Sequence, residues 1–317
     1  MNTRDQRAHD PAAALSLLAC EALECVGQHR LLSTGQLHQM VAPAQALRRT
    51  QRRIATLAEH GLIAHVRQRG VAHRPARLWY LTEPGAQVIE AVPGRSEPRR
   101  KLLTPAQAGG LLQHHTLAVN DTGLAFLHAA RRRRDEDVSW RSWRHELAHP
   151  IAPGGPRSTQ TVIPDAVLGY PTREPDGRIV FHHRFIELDR ATLPVDQLAH
   201  KLARYTRLYH HTTLTHPGGP LRPAWQQHYP AFPGVLVILA GQPRAALERR
   251  LQTVLALCAT SPELAATPEV SITIGLLEDL AVHGPWAPVF LSAARPDRWV
   301  DWLGHDKPAA MEGEAAP

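Results

Sequence analysis

Cysteine is scarce in this chain: Cys20, Cys25 and Cys258 are the three among 317 residues, and none stands in CxxC spacing. That argues against a disulfide framework and a zinc ribbon, and fits a reducing cytoplasm, the expected location. Long apolar runs are missing too. No stretch of 18 apolar residues occurs, so no membrane span is expected. The opening MNTRDQRAHDPAAALSLLACEALECV scatters acids where a secretory signal needs a continuous apolar core. Lysine is nearly absent, three residues against 33 arginines. No GxxxxGK(S/T), HExxH or GxSxG motif is present, which leaves a P-loop motor, a zincin and a serine-hydrolase elbow without support. The histidine pairs at 114–115, 182–183 and 210–211 lack the His-hydrophobe-His order of rolling-circle relaxases.

What is present reads as globular, with 43% hydrophobic and 21% charged residues. The charge is unevenly placed. Residues 1–105 hold 15 Arg and Lys against 8 Asp and Glu, whereas residues 106–317 hold 21 of each. The whole excess of +7 therefore sits in the first third, where a polyanionic partner is expected.

That third reads as three helices, a hairpin and a closing helix. Leu15, Leu18, Ala22 and Val26 have helical spacing, and Ser33 with Gln36 forms a capping-box pattern before a short second helix. In the third, about 44–60, Leu47, Ile54, Leu57 and Ala58 share one face, and Arg48, Arg49, Arg52 and Arg53 share the other. Residues 62–67 and 77–81 read as strands around a turn carrying Arg67, Arg69, Arg74 and Arg77. A helix starts after Thr82. The stretch RRTQRRIATLAEHGLIAHV…RLWYLTEPG is similar to the recognition-helix-to-wing segment of bacterial winged-helix regulators, over about residues 13–92. The resemblance implies a helix in the major groove of double-stranded DNA, with the wing arginines near phosphates or the minor groove. A solvated basic face, or a winged helix serving protein contacts, is the competing reading. Residues 93–107, PGRSEPRRKLLTPAQ, read as a linker.

From 108 onward a helix at 111–134 precedes three strand-like runs, VSWRSWRHELA, QTVIPDAVLGY and RIVFHHRFIELDRAT. Then come a helix at 194–211, a strand at 234–240, a helix at 243–258, and strands near 270–276 and 288–292. This order predicts a mixed α/β domain to residue 304, with a disordered tail over 305–317. Asp165 opens the second strand region, and Glu187 and Asp189 leave one face of the third with Phe181, His183 and Phe185. Two strands each bringing a carboxylate to one place is what a hard divalent cation needs. Acids at strand ends are also ordinary solvated boundary residues. On helix 194–211, Leu198, Leu202, Tyr205, Leu208 and Tyr209 form an apolar stripe, and Lys201 projects about 60° from its centre. That predicts a lysine leaning toward the sheet, unless it merely snorkels. Tyr205 and Tyr209 have the spacing of paired catalytic tyrosines, but their place in the apolar stripe reads as core.

Together PDAVLGY, FIELDRAT and HKLARY resemble the replication-relaxation family of plasmid and mobile-element proteins over most of residues 13–212. The resemblance implies an α+β chain: an N-terminal winged helix-turn-helix at 1–92, then a restriction-endonuclease-like domain of the PD-(D/E)XK kind at 108–304. It implies Asp165 and Glu187 as catalytic acids, with Asp189 where the motif lysine would stand and Lys201 as its migrated replacement. The metal would be Mg²⁺ on Asp165, Glu187 and Asp189. Glu146, at the end of the first strand, is a weaker candidate. The function implied is plasmid replication, relaxation or transfer, with DNA nicking. The alternative is a non-catalytic transcription or replication regulator with a degenerate nuclease-like domain. Duplex DNA, replication or transfer proteins and a second copy of the chain are the expected partners.

Overall fold

The computed structural model describes residues 15–70, 75–92, 101–151, 161–174, 176–214 and 216–306. They form a mixed α+β protein that divides into two compact units, Met1–Leu124 with Ser139–Arg141 and Ala125–Val138 with Ser142–Pro317. No helix among them is long and apolar enough to cross a membrane. Arg74, residues 93–100 of the expected linker and the chain from 307 lie outside the described residues.

The first unit runs α1 (Leu17–His29), β1 (Leu32–Ser33), α2 (Thr34–Val41), α3 (Leu47–Glu59), β2 (Ile63–Arg67), β3 (Arg77–Leu81), α4 (Glu83–Glu90) and α5 (Pro105–Ala108). It continues into the start of α6 (Gln113–Arg133). Caps set the helix starts: the Ser33 hydroxyl accepts from Gln36 N–H and the Gln36 side chain returns the bond, each at 3.1 Å. β1, β3 and β2 form an antiparallel three-stranded sheet in that order. α3 buries Thr50, Ile54 and Leu57. Leu47, expected on that apolar face, is 43% exposed. As the first residue of the helix its side chain leans back past the packed turn. Thr50, hydrogen-bonded to His38 Nδ1 at 2.9 Å, takes the inner position. Gly85 is required by packing, because a Cβ there would stand 2.0 Å from the Leu62 carbonyl oxygen.

The expected boundary at 107/108 falls inside this unit. Thr104 and Gln107 make a second capping box, and Ala108 packs with Leu31, Leu78, Tyr80 and Leu117.

The second unit is built on a seven-stranded sheet. Its strands are β4 (Trp143–His145), β7 (Ala166–Arg173), β8 (Ile179–Asp189), β11 (Gly234–Leu239), β12 (Ile272–Leu276), β13 (Phe290–Ser292) and β14 (Arg295–Val300). The spatial order is β14-β13-β12-β11-β8-β7-β4, with β8, β11 and β12 parallel and the other pairs antiparallel. Small pairs β5 (His149–Pro150) with β6 (Thr161–Val162), and β9 (Thr212–Leu214) with β10 (Leu221–Pro223), are inserted between its strands in sequence. Its helices are the remainder of α6, then α7 (Val195–His210), α8 (Arg244–Ala259), α9 (Pro262–Ala265) and α10 (Leu277–His283).

α7 and α8 lie on one face, where Leu202, Tyr205 and Leu208 join Leu247, Leu251 and Val254 over Phe185, Val237 and Ile274. Phe126 of α6 meets Tyr170 and Trp302 edge-on. Buried along its whole length, GVLVIL shows none of the alternation of a half-exposed strand.

Three expectations for this unit need correction. VSWRSWRHELA is a strand only at its centre, behind a 3₁₀ turn at Trp140–Ser142. QTVIPDAVLGY is two strands, because Pro164 has no N–H to continue a ladder. His305 and Asp306, expected in a disordered tail, are tied down: His305 N–H donates to Asp301 Oδ1 at 3.0 Å, and Asp306 pairs with Arg295 and Arg298.

Candidate functional site

The break after β6 explains how Asp165 is used. It sits just before β7, at the point where β8 runs on without a β7 neighbour. The Leu188 N–H, deprived of a ladder partner, donates instead to Asp165 Oδ2 at 2.7 Å. Glu187, one residue earlier on β8, lies opposite Val237 of β11 and beneath α7. Lys201 and Tyr205, one helical turn apart on α7, both reach it. Lys201 Nζ bonds Glu187 Oε2 and stands 3.6 Å from Asp165 Oδ1. Tyr205 Oη donates to Glu187 Oε1 at 2.5 Å. Asp165, Glu187 and Lys201, singled out in the sequence, thus meet in one cluster, and the lysine leans toward the sheet as its position on the helix predicted.

The cluster is graded in exposure: the Lys201 side chain is 34% exposed, that of Asp165 18% and that of Glu187 1%. Burial pushes the Glu187 carboxyl up to about 8, against the pull of the Lys201 charge and the two donated hydrogen bonds. Burial also acts to lower Lys201, but the Glu187 and Asp165 carboxylates outweigh it and hold the ammonium above its ordinary value. The Tyr205 hydroxyl is pushed well up by burial and by Glu187, so it serves as a donor.

Asp189 does not join this assembly. Arg250 of α8 takes both of its oxygens, and the Ala191 N–H donates to Oδ1 at 2.9 Å. No group of three or more His, Cys, Asp or Glu able to hold a metal exists among the described residues. The expected three-carboxylate set is therefore reduced to Asp165 and Glu187. Two carboxylates facing one ammonium still fit a hard divalent cation of the magnesium class, which takes one or two carboxylates and keeps its waters. Glu146 touches the cluster through its backbone, its N–H donating to the Asp165 carbonyl at 3.2 Å.

Two partners were missed in the sequence. Tyr205 read as core, which its burial bears out, but its hydroxyl also belongs to the site; the signal was its i, i+4 spacing from Lys201. Arg250 lies 61 residues from Asp189, and no local pattern announces it.

In the first unit the basic residues sort by exposure. Arg48, Arg49 and Arg52 are exposed along α3, opposite Thr50, Ile54 and Leu57. Arg53 is half-buried and donates to Gln45 Oε1 at 2.8 Å. Arg67 and Arg77 face each other directly across β2 and β3, and both are exposed. Like charges at opposed positions cost stability in isolation, and a polyanion relieves that cost. Arg69 is exposed as well, donating to the Gly109 carbonyl at 3.2 Å. Below them the buried Gln113 side chain bonds the Arg67 carbonyl, the Ala108 carbonyl and the Arg69 N–H, tying down the end of β2.

No curated protein and no solved structure matches the chain. The replication-relaxation family model matches residues 23–219, a span that takes in α3, the β2–β3 hairpin, Asp165, Glu187, Lys201 and Tyr205. With more than half of its residues inside that match, the chain belongs to the replication-relaxation family.

Proposed function

We propose that this replication-relaxation protein acts on plasmid or mobile-element DNA, holding the duplex through a winged helix in its first unit. The observation that carries the reading is the two-faced α3, with three arginines outward and Thr50, Ile54 and Leu57 inward. The order α1-β1-α2-α3-β2-β3 and the sheet order β1-β3-β2 support it. α3 enters the major groove, and Arg67, Arg69 and Arg77 reach flanking phosphates. Binding at four to six phosphates gives log K against log salt a slope of about −4 to −5. Replacing Arg48, Arg49 and Arg52 with alanine should flatten it by about 2 to 3. Anisotropy titrations of a labelled duplex over a salt series read this directly. An unchanged slope places DNA contact elsewhere.

The meeting of Asp165, Glu187 and Lys201 favours a second component, metal-dependent phosphodiester hydrolysis by a nuclease-like second unit. Asp165 and Glu187 would hold the cation. When bound, Mg²⁺ supplies Lewis-acid polarisation of the phosphoryl oxygens. Lys201 would offset charge that builds on the phosphate. Asp165→Ala and Glu187→Ala should abolish Mg²⁺- or Mn²⁺-dependent nicking of supercoiled DNA while leaving duplex affinity within about twofold. Wild-type protein that binds duplex but nicks with neither metal supports instead a DNA-binding regulator whose second unit serves assembly.

A further inference from the structure

Glu187 is the deepest member of the carboxylate cluster, and both of its oxygens are spoken for by one helix. Lys201 takes Oε2, and Tyr205, four residues on, takes Oε1. The two donors differ in kind. Lys201 is a flexible cation on the open side of the cluster, shared with Asp165 at 3.6 Å. Tyr205 is a neutral hydroxyl on a fully buried ring, held 5.2 Å centroid to centroid from Phe185. An incoming divalent cation competes with the ammonium for Oε2 and Asp165, because like charges repel. It has no such quarrel with the hydroxyl, which stays on Oε1.

We propose that Tyr205 is a positioning residue for Glu187: its hydroxyl keeps Oε1 engaged and so presents Oε2, beside Asp165, as the oxygen that meets a divalent cation. Lys201 and Tyr205 then form a two-part clamp, one part exchangeable and one permanent. This rests on the metal-dependent reading of the site. Tyr205 acts through Glu187 and does not itself touch substrate.

The test is Mn²⁺ binding by the full chain without DNA, measured by calorimetry with EPR of free Mn²⁺ as a cross-check. Tyr205→Phe removes the hydroxyl and keeps the ring. It should weaken Mn²⁺ binding about 10- to 100-fold, the usual effect of losing a group that orients a metal ligand. Tyr209→Phe is the packing control. That ring stacks on Trp225 one turn along α7, and its loss of a hydroxyl should leave Mn²⁺ affinity at the wild-type value. In a Glu187→Gln background, adding Tyr205→Phe should change nothing further, a non-additivity that a general packing defect does not produce. Thermal unfolding of each variant verifies that it is folded. Wild-type affinity in Tyr205→Phe overturns the inference, as does an equal loss in Tyr209→Phe. Wild-type protein that takes up no Mn²⁺ overturns the metal-dependent reading itself, and the inference with it.

Discussion

Replacing Glu187 by glutamine in the metal-free protein tests the electrostatics of the cluster without any assumption about its chemistry. The native carboxyl is pushed from its ordinary value of 4.5 up to about 8, chiefly by burial. Across that interval the native carboxyl binds a proton more readily than the unfolded chain does. Stability therefore falls as pH rises through that window. Lys201, held above its ordinary 10.5, stays charged throughout and cancels from the comparison. At about 1.4 kcal/mol per tenfold change in proton affinity, the full window is worth about 5 kcal/mol. Water reaches the cluster through Lys201, which is 34% exposed, and screens it. About half, roughly 2–3 kcal/mol, is the expected loss between pH 5 and pH 8.

Glutamine fills the same space and cannot titrate. Its stability relative to wild type should therefore rise steadily from pH 5 to pH 8. Urea unfolding in EDTA, followed by tryptophan fluorescence, reads mainly the second unit, because Trp143, Trp225, Trp286, Trp299 and Trp302 lie there. A difference that stays flat with pH, or runs the other way, refutes the claim that Glu187 is raised by burial.

Three further outcomes are expected. Lys201→Ala should lower any metal-dependent nicking by one to several orders of magnitude, since comparable electrostatic groups are worth about 3 kcal/mol, and single-turnover assays on supercoiled DNA measure it. Lys201→Arg should not restore full activity, because the planar guanidinium is bulkier and donates in a fixed fork. Gly85→Ala drives a methyl group into the Leu62 carbonyl and should destabilise the first unit by about 3 kcal/mol. Thermal unfolding of that variant, with duplex affinity as a second readout, checks whether α4 packs as closely as described.

Much of the secondary structure was legible because local physics decides it. Ser33 and Gln36 announced the start of α2, and helical periodicity gave the outward arginines of α3, though the helix starts three residues later than expected and Arg53 turns back, half-buried, onto Gln45. Leu47 failed because helical periodicity says which side a residue occupies but not whether a partner reaches the first turn. The boundary at 107/108 failed for a related reason. Proline and arginine around Pro93–Lys101 read as linker chemistry, and the capping box of Thr104 and Gln107 was overlooked beside them. The β9–β10 hairpin and β14 were missed because short strands with exposed residues carry little periodic signal.

The candidate site divides along the same line, and the division has a physical cause. Lys201 could be placed because an amphipathic helix following a strand must lay its apolar stripe on the sheet, which fixes the lean of its neighbours. Asp189 could not be placed that way. Strand alternation correctly put it on the face of Glu187, yet alternation is silent about which helix covers each position. α7 covers Glu187 and offers an ammonium on the open side. α8 reaches Asp189 with Arg250, whose guanidinium takes both oxygens and also donates to the Leu193 carbonyl at 2.9 Å. Two carboxylates two residues apart thus face opposite demands. One is matched to a lysine that a stronger cation can displace. The other is locked by an arginine that bidentate geometry makes hard to displace. In a chain with three lysines and 33 arginines, a lysine stands at the carboxylate pair and an arginine at the structural acid. That difference in exchangeability is why the proposed chemistry falls to Asp165 and Glu187, while Asp189 holds α8 to the end of β8.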